Sequence, residues 1–277
     1  MDSGVRFAVI GDCHYSTKGN YGTRDCLNAK SKLADIIDKL NAEDLDFVFS
    51  LGDLGNGDAS FEVPEMLEVY AKSRHTVKFC AGNHDLCPRS DVVHMQLVNN
   101  TEPMYDFVVK GYRFIVLNPF EMSRYSAVAE DREFYWNFRK NNPDIPVQEW
   151  PGLFRETSWQ RLENMLNEAT KKGEQVIILC HVPVWHLACP PAGNDPPARI
   201  VEHERMLELL DKYPNLRAYI AGHFHPGGLD VRNGVMHKTV RAVCDFKENT
   251  YCIITADSRE IAVKGFGMES DYVHKFF

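Results

Sequence analysis

The sequence predicts an α/β fold whose first half is built on parallel strands. Short apolar runs of strand length alternate with amphipathic helical segments, an order that implies crossover connections between parallel strands. Each apolar run also stops on a small cluster of Asp, Asn, His and Gly. In sheets of this kind a ligand site lies beyond the carboxyl ends of the strands, and that is where these clusters fall. With 277 residues, 44% of them hydrophobic and 25% charged, the chain has the size and balance to bury a core.

The elements follow in order. Val5 to Ile10 is a buried strand that delivers Asp12 and His14. From about Arg24 to Leu40, the residues Leu27, Leu33, Ile36, Ile37 and Leu40 mark one face of a helix. Phe47 to Leu51 is a second buried strand and ends on Gly52-Asp53. Phe61 to Tyr70 is helical, with Val63, Met66, Leu67 and Tyr70 on one face. Val77 to Cys80 then feeds the turn-favouring stretch Ala81-Gly82-Asn83-His84-Asp85.

Tyr105 to Val109 and Tyr112 to Leu117, joined by Lys110-Gly111, have the pattern of a β-hairpin. From residue 119 to about 156 the periodicity is lost and the composition turns aromatic and polar. A stretch of that length predicts a cap inserted into a single domain spanning residues 1–277. Thr157 is the expected N-cap of a helix carrying Trp159, Leu162, Met165, Leu166 and Ala169, stopped by Gly173. Val176 to Leu179 presents His181, and a Pro-rich loop leads into a helix from about Ile200 to Lys212. Arg217 to Ala221 ends on Gly222-His223-Phe224-His225, and Gly234 to Gly267 reads as strands separated by turns.

A lone loop His or Asp is ordinarily only a turn residue. Here Asp12-Cys13-His14, Gly52-Asp53, Gly82 to Asp85, Cys180-His181 and Gly222 to His225 all sit at strand ends, and together they point to one metal site assembled from several loops. Asp, Asn and His without clustered thiolates form a nitrogen and oxygen donor set suited to Mn, Fe, Zn or Ni. Asp12, His14, Asp53, Asn83, His181, His223 and His225 exceed what one ion needs and can fill two shells if one carboxylate bridges. Two ions hold the attacking and leaving oxygens of an in-line displacement at phosphorus and bring the pKa of water towards neutrality. His84 is then free for proton work, with Asp85 expected to orient it.

These blocks resemble the signature of calcineurin-like metallophosphoesterases over nearly the whole chain. The resemblance implies a two-sheet β-sandwich flanked by helices, a four-layer α/β/β/α arrangement with its dinuclear site at one edge. It implies that Asp12, His14, Asp53 and His225 hold one ion, that Asp53, Asn83, His181 and His223 hold the other, and that Asp53 bridges. His84 would be the proton donor or transition-state stabiliser. The chain departs from the family pattern at the acidic or amide residue a few places after the bridging Asp, a place for which Asn56 and Asp58 are the two candidates.

Ser158 to Leu162, Cys180-His181-Val182-Pro183, His223 to Gly228 and the tail from Val263 to Gly267 are similar to the manganese-dependent ADP-ribose/CDP-alcohol diphosphatases. That likeness implies a small nucleotide-derived phosphorylated substrate and manganese, with Fe, Zn, Ni or Mg as the other ions such donors admit. The first block departs from that subgroup, which tends to carry Gln where His14 stands. Tyr135, Trp136 and Trp150 offer faces on which a base can stack, although packing of the cap is their competing role. His186 and His237 follow metal motifs closely enough to line the pocket; Cys189 reads as a plain loop position. A phosphodiesterase or phosphomonoesterase acting on a cyclic nucleotide or phosphoprotein would use the same metal site. A non-catalytic scaffold is disfavoured, because every ligand position and His84 are filled.

A net charge of −8 and the absence of dense Lys/Arg runs argue against a nucleic-acid surface. No apolar run reaches membrane-spanning length, no signal peptide is visible, and the eight cysteines form no Cys-x-x-Cys pair. The sequence is therefore expected to be cytoplasmic.

Overall fold

The computed structural model describes residues 4–86, 104–124, 126, 128–145, 152–191 and 198–276. Two six-stranded sheets stack face to face with helices on their outer surfaces, so the fold is the expected α/β/β/α sandwich. The first sheet runs in the order β12, β11, β10, β1, β2, β3 and the second β4, β5, β6, β7, β9, β8. Strands β1 (Val5–Ile10), β2 (Phe47–Ser50) and β3 (Val77–Phe79) are parallel, linked by α1 (Ala29–Leu40) and α2 (Ala59–Tyr70). In the second sheet the hairpin β4 (Tyr105–Val109) and β5 (Tyr112–Val116) leads to parallel β6 (Gln175–Leu179), β7 (Leu216–Ala221) and β9 (Val235–Thr239). Strand β8 (Gly228–Arg232) forms the outer edge. The tail, β10 (Tyr251–Ala256), β11 (Glu260–Phe266) and β12 (Tyr272–Lys275), returns to the first sheet, with β10 antiparallel to β1.

Because side chains alternate faces along a strand, each central strand feeds two cores. Val5, Phe7 and Val9 point between the sheets, whereas Ala8 and Ile10 point towards α1 and α2. Phe7 stacks on Phe47 at 4.9 Å and meets Phe114 of the other sheet edge-on at 5.1 Å. Ile177 and Leu179 share that inner core, while Val176 and Ile178 face α4 (Glu156–Lys172) and α5 (His203–Leu210). Such runs lack polar alternation because both faces are covered.

Besides α1, which begins at Ala29 and not near Arg24, three expectations need correction. Residues 119–156 do contain regular structure, α3 (Ala129–Asn141), whose buried side chains are few enough to blur the helical period. Thr157 is not the cap of α4. Arg155 is in the N-cap position with no side-chain cap, and Glu121 holds the segment by accepting from Arg155 N at 3.1 Å and Ser158 Oγ at 2.7 Å. The Pro-rich loop also continues further than expected, so α5 begins at His203 and ends at Leu210. Gly173 terminates α4 as expected, in a left-handed conformation with φ 69°. Among the described residues no helix is long and apolar enough to cross a membrane. The seven described cysteines are all buried and unpaired.

A buried ion pair ties the sheets together: Lys238 Nζ on β9 lies 2.6 Å from Glu269 Oε2 in the turn after β11, with both side chains almost fully enclosed. Glu269 Oε1 also accepts from Arg241 N at 2.6 Å. Removing one partner strands a buried charge, so Glu269→Ala is expected to lower stability by about 3–5 kcal/mol. Urea titration checks this, and a loss under about 1 kcal/mol would contradict it.

Nearby, His237 is buried between Trp185 and Tyr219, its ring stacked on Tyr219 at 6.1 Å and tilted against Trp185 at 6.2 Å. Burial, reinforced by the Arg232 charge, pushes its pKa down to about 4. An unfolded chain would bind a proton near pH 6.5 that the folded chain refuses until about pH 4. Stability from this residue is therefore present above that window and lost as pH falls through it, with a limit of roughly 3 kcal/mol. His237→Met is expected to flatten the fall in urea midpoint between pH 7 and about pH 4.5; an unchanged slope would rule this origin out.

Candidate metal centre

The carboxyl ends of β1, β2, β3, β6 and β7 converge on one edge of the sandwich. Asp12, His14, Asp53 and His225 present donor atoms all within 4.8 Å of one another, and Asp53, His181 and His223 form a second such group. Asp53 belongs to both. His14 Nε2 lies 3.2 Å and His181 Nε2 3.4 Å from Asp53 Oδ2. Asn83 Oδ1 lies 3.2 Å from His181 Nε2, which brings the fourth loop into the second group.

The backbone is bent to make this possible. Asp12, His14, Asp53 and His223 all adopt positive φ, between 50° and 66°, a region non-glycine residues enter rarely. Glycines clear the space between them. A Cβ on Gly82 would sit 2.1 Å from Asp53 Oδ1, and one on Gly222 would sit 2.6 Å from Asp12 Oδ2. The loops are then stitched by hydrogen bonds, with His14 N donating to Asp53 O at 2.9 Å and His223 N to Asp12 Oδ1 at 3.0 Å.

Two imidazoles have their tautomer set from behind. His181 Nδ1 donates to Leu51 O at 2.6 Å, and His225 Nδ1 faces Asp245 Oδ2 at 2.7 Å. A carbonyl or carboxylate behind a ring is the usual support for a metal-ligating His, because it aims the other nitrogen inward. The titration pattern shows what the site wants. Burial opposes ionisation of Asp53, yet His181, His14 and His84 outweigh it and hold this carboxyl well below its ordinary range. Burial alone would depress His181; the Asp53 carboxylate instead raises it to about 9. Burial pushes His14 down to about 3 and also lowers His223. Thus the His14 and His223 nitrogens favour the neutral, electron-donating form beside a buried anion that draws positive charge towards it. This donor set fits a pair of divalent ions.

His84 stands at the rim. Its N donates to Asp53 Oδ1 at 2.8 Å, and its ring crosses that of His14 at 4.5 Å. Asn56 O, 2.9 Å from Nδ1, can only accept, so Nδ1 carries a proton and Nε2 is left for chemistry. Asp85 does not orient this ring. The tight turn Asn83–Asp85 directs its carboxylate back into the fold, where it accepts from Asp53 N, Leu54 N, Gly55 N and Gly82 N at 2.8–3.3 Å. Its role is to clamp the β2 and β3 loops together. Glu62 holds the next segment similarly, accepting from Asn56 N, Gly57 N and Asp58 N at 2.9 Å each.

A cavity of about 730 Å³ opens beside His84, lined by Ser16, Lys18, Tyr21, Arg24, Asn56 and Gly57 among others. Of these, the sequence singled out only Asn56, and for another reason. The expected pocket residues lie elsewhere. Tyr135 is fully buried and paired with Arg139 Nη1 at 3.2 Å, while Trp136 faces solvent beside the same arginine. His186 is exposed on a short helical turn, His237 is in the second sheet, and Cys189 is buried with its thiol donating to Trp185 O at 3.3 Å. Trp150 lies outside the described residues. Asp245 and Arg24 carried no motif and were missed.

The family model for calcineurin-like phosphoesterases matches residues 5–227. The chain is 25% identical over 234 residues to a manganese-dependent ADP-ribose/CDP-alcohol diphosphatase of Arabidopsis thaliana, covering 75% of this chain and 74% of that one. It is 26% identical over 181 residues to the protein of the same name from Danio rerio, covering 58% and 55%. In three dimensions it is similar to a dimetal phosphatase from Danio rerio, with a TM-score of 0.87 at 20% identity over 99% of both chains. A purple acid phosphatase from yellow lupin is more distant, with a TM-score of 0.60 at 15% identity over 99% of this chain and 54% of the other. A matched family model spanning most of the chain, over a sandwich whose strand ends gather the expected donors, gives one conclusion: the chain belongs to the calcineurin-like phosphoesterases.

Proposed function

We propose that this metal-dependent hydrolase cleaves the phosphoanhydride of small nucleoside diphosphate derivatives, with ADP-ribose and CDP-alcohols as the substrate class. The observation that carries this reading is the adjacency of the two donor groups sharing Asp53 to a cavity walled by cations and His84. The names of the Arabidopsis and Danio relatives supply the substrate class and manganese. In this reading Asp12, His14, Asp53 and His225 hold one ion, and Asp53, Asn83, His181 and His223 hold the second. Residues 119–156 are an insertion within one domain, tied internally by the Arg155 to Asp131 ion pair and joined to the body where Ser158 Oγ donates to Glu121 Oε1 at 2.7 Å and Phe154 N to Glu202 Oε2 at 2.8 Å.

When bound, the two ions supply Lewis acidity to the phosphoryl group and make hydroxide available at neutral pH. The chain's own residues do the rest. Asp53 gathers both groups around one buried charge. His84 is held by Asn56 O through Nδ1, so as the imidazolium it can deliver a proton from Nε2 to the leaving phosphate oxygen. Asp85 and Glu62 immobilise the loops that carry Asp53, His84 and Asn56.

Asp245 supports His225 from behind, and loss of such a support weakens metal binding by roughly 10–100-fold. Asp245→Ala is expected to show that loss in calorimetric Mn titration while retaining the wild-type fold by circular dichroism. Equal affinity in both proteins would remove Asp245 from the site.

The function itself is tested by incubating Mn-loaded protein with ADP-ribose, CDP-choline, a cyclic nucleotide and a chromogenic phosphodiester. Release of a nucleoside monophosphate from the first two is expected, reduced by about 10²–10⁴-fold in His84→Ala. Turnover of the chromogenic diester alone would retain the metal site and discard the substrate class.

A further inference from the structure

Beside the metal centre is a guanidinium with most of its hydrogen-bonding capacity unspent. Arg24 Nη1 donates to Asn56 Oδ1 at 3.1 Å and lies 3.3 Å from His14 Nδ1. Its Nε and Nη2 have no partner among the described residues, and the side chain forms part of the cavity wall next to His84. Lys18 lines the same wall, with its ammonium 3.6 Å from Asp58 and mostly in solvent. In a chain with a net charge of −8, two cations on one cavity wall next to two buried carboxylates form a local reversal of sign. An anionic substrate entering this cavity meets positive charge first.

The chemistry of His14 sharpens the point. A guanidinium only donates, so His14 Nδ1 is the acceptor in this arrangement and Nε2 carries the proton towards Asp53. A His14 that ligates an ion through Nε2 must carry its proton on Nδ1, and the contact with Arg24 then becomes donor against donor. Ligation by His14 and its hydrogen bond to Arg24 exclude one another. The bond from Arg24 Nη1 to Asn56 Oδ1 does not depend on His14, and it holds the guanidinium on the cavity wall.

We propose that Arg24 binds the phosphoryl group that is not attacked, making it the residue by which this site selects diphosphates over single-phosphate esters. The assignment rests on the function proposed above and extends it to a residue on the page. A phosphate bound at the metal centre has its neighbour, in a diphosphate, within reach of a group that already touches His14 and Asn56. A planar guanidinium matches two oxygens of such a phosphate in a way an ammonium cannot. A phosphomonoester or simple diester has no second phosphate to place there.

The test compares the full-length, Mn-loaded protein with Arg24→Gln and Arg24→Lys. For each, kcat/KM is measured on ADP-ribose and on bis(4-nitrophenyl) phosphate, with metal content read by elemental analysis. Arg24→Gln is expected to lower the ratio of the two kcat/KM values by about 30-fold, and Arg24→Lys by about 10-fold. The binding of non-hydrolysable α,β-methylene ADP, followed by calorimetry, is expected to weaken by a similar factor, and that of AMP by much less. A ratio unchanged in both variants would overturn the assignment while the proposed function stands. Parallel loss of bound manganese and of both activities would also overturn it, reducing Arg24 to a support for His14. If the unsubstituted protein cleaves the diester but no diphosphate, the proposed function fails and this inference fails with it.

Discussion

A carboxylate taken wholly out of water must be surrounded by compensating charge and hydrogen-bond donors, and Asp53 is that carboxylate here. Its neighbours are arranged around this need. His14 and His181 approach one oxygen, and His84 N donates to the other. Gly52 and Gly82 have no Cβ because the β2 and β3 loops touch at this point; a Cβ on Gly52 would meet Gly82 N at 2.3 Å. Asp85, a second buried carboxyl whose pKa burial and the Asp53 charge push up to about 7, accepts from four backbone N–H groups and so fixes the two loops as one body. Divalent cations are the charge that such a buried carboxylate, ringed by imidazoles, is built to receive.

The sandwich is a precondition for this centre. Asp12, His14 and Asp53 come from the first sheet, whereas His181, His223 and His225 come from the second. Both donor groups therefore mix the two sheets, and neither exists until the sheets have docked. The contact of Phe7 and Phe47 with Phe114, and the Lys238–Glu269 pair, set the registry on which each donor distance depends. Packing in the interior and metal affinity at the edge are coupled through that registry.

The sequence was most legible where local chemistry and tertiary position coincide. An apolar run that halts on Gly-Asp or Gly-His states both a strand and its tip, which is why the donors could be read directly. Long-range partners leave no such trace. Asp245 meets His225 across twenty residues, and Lys32 secures the backbone carrying Asp245 by bonding Val243 O and Phe246 O. Arg24 reads as the beginning of an amphipathic helix, but α1 begins at Ala29, leaving the arginine free to turn towards His14. Asp85 misled because sequence adjacency to His84 suggests contact, whereas consecutive residues on a tight helical turn point in different directions. Tyr135 misled for the opposite reason: a ring in the cap is informative only once its burial is known.

The buried cysteines have a consequence of another kind. Cys13 lies within the first donor loop between Asp12 and His14, Cys80 follows the β3 strand, Cys180 precedes His181, and Cys252 sits on β10 in the inter-sheet core. Burial raises every one of these thiols, so in the closed molecule they are poor nucleophiles shielded from alkylating reagents and oxidants. Reactivity appears only where a layer opens. The chain thus carries natural reporters of its own breathing, spaced from the metal edge to the far core. The order in which they become alkylated records which part of the sandwich parts first.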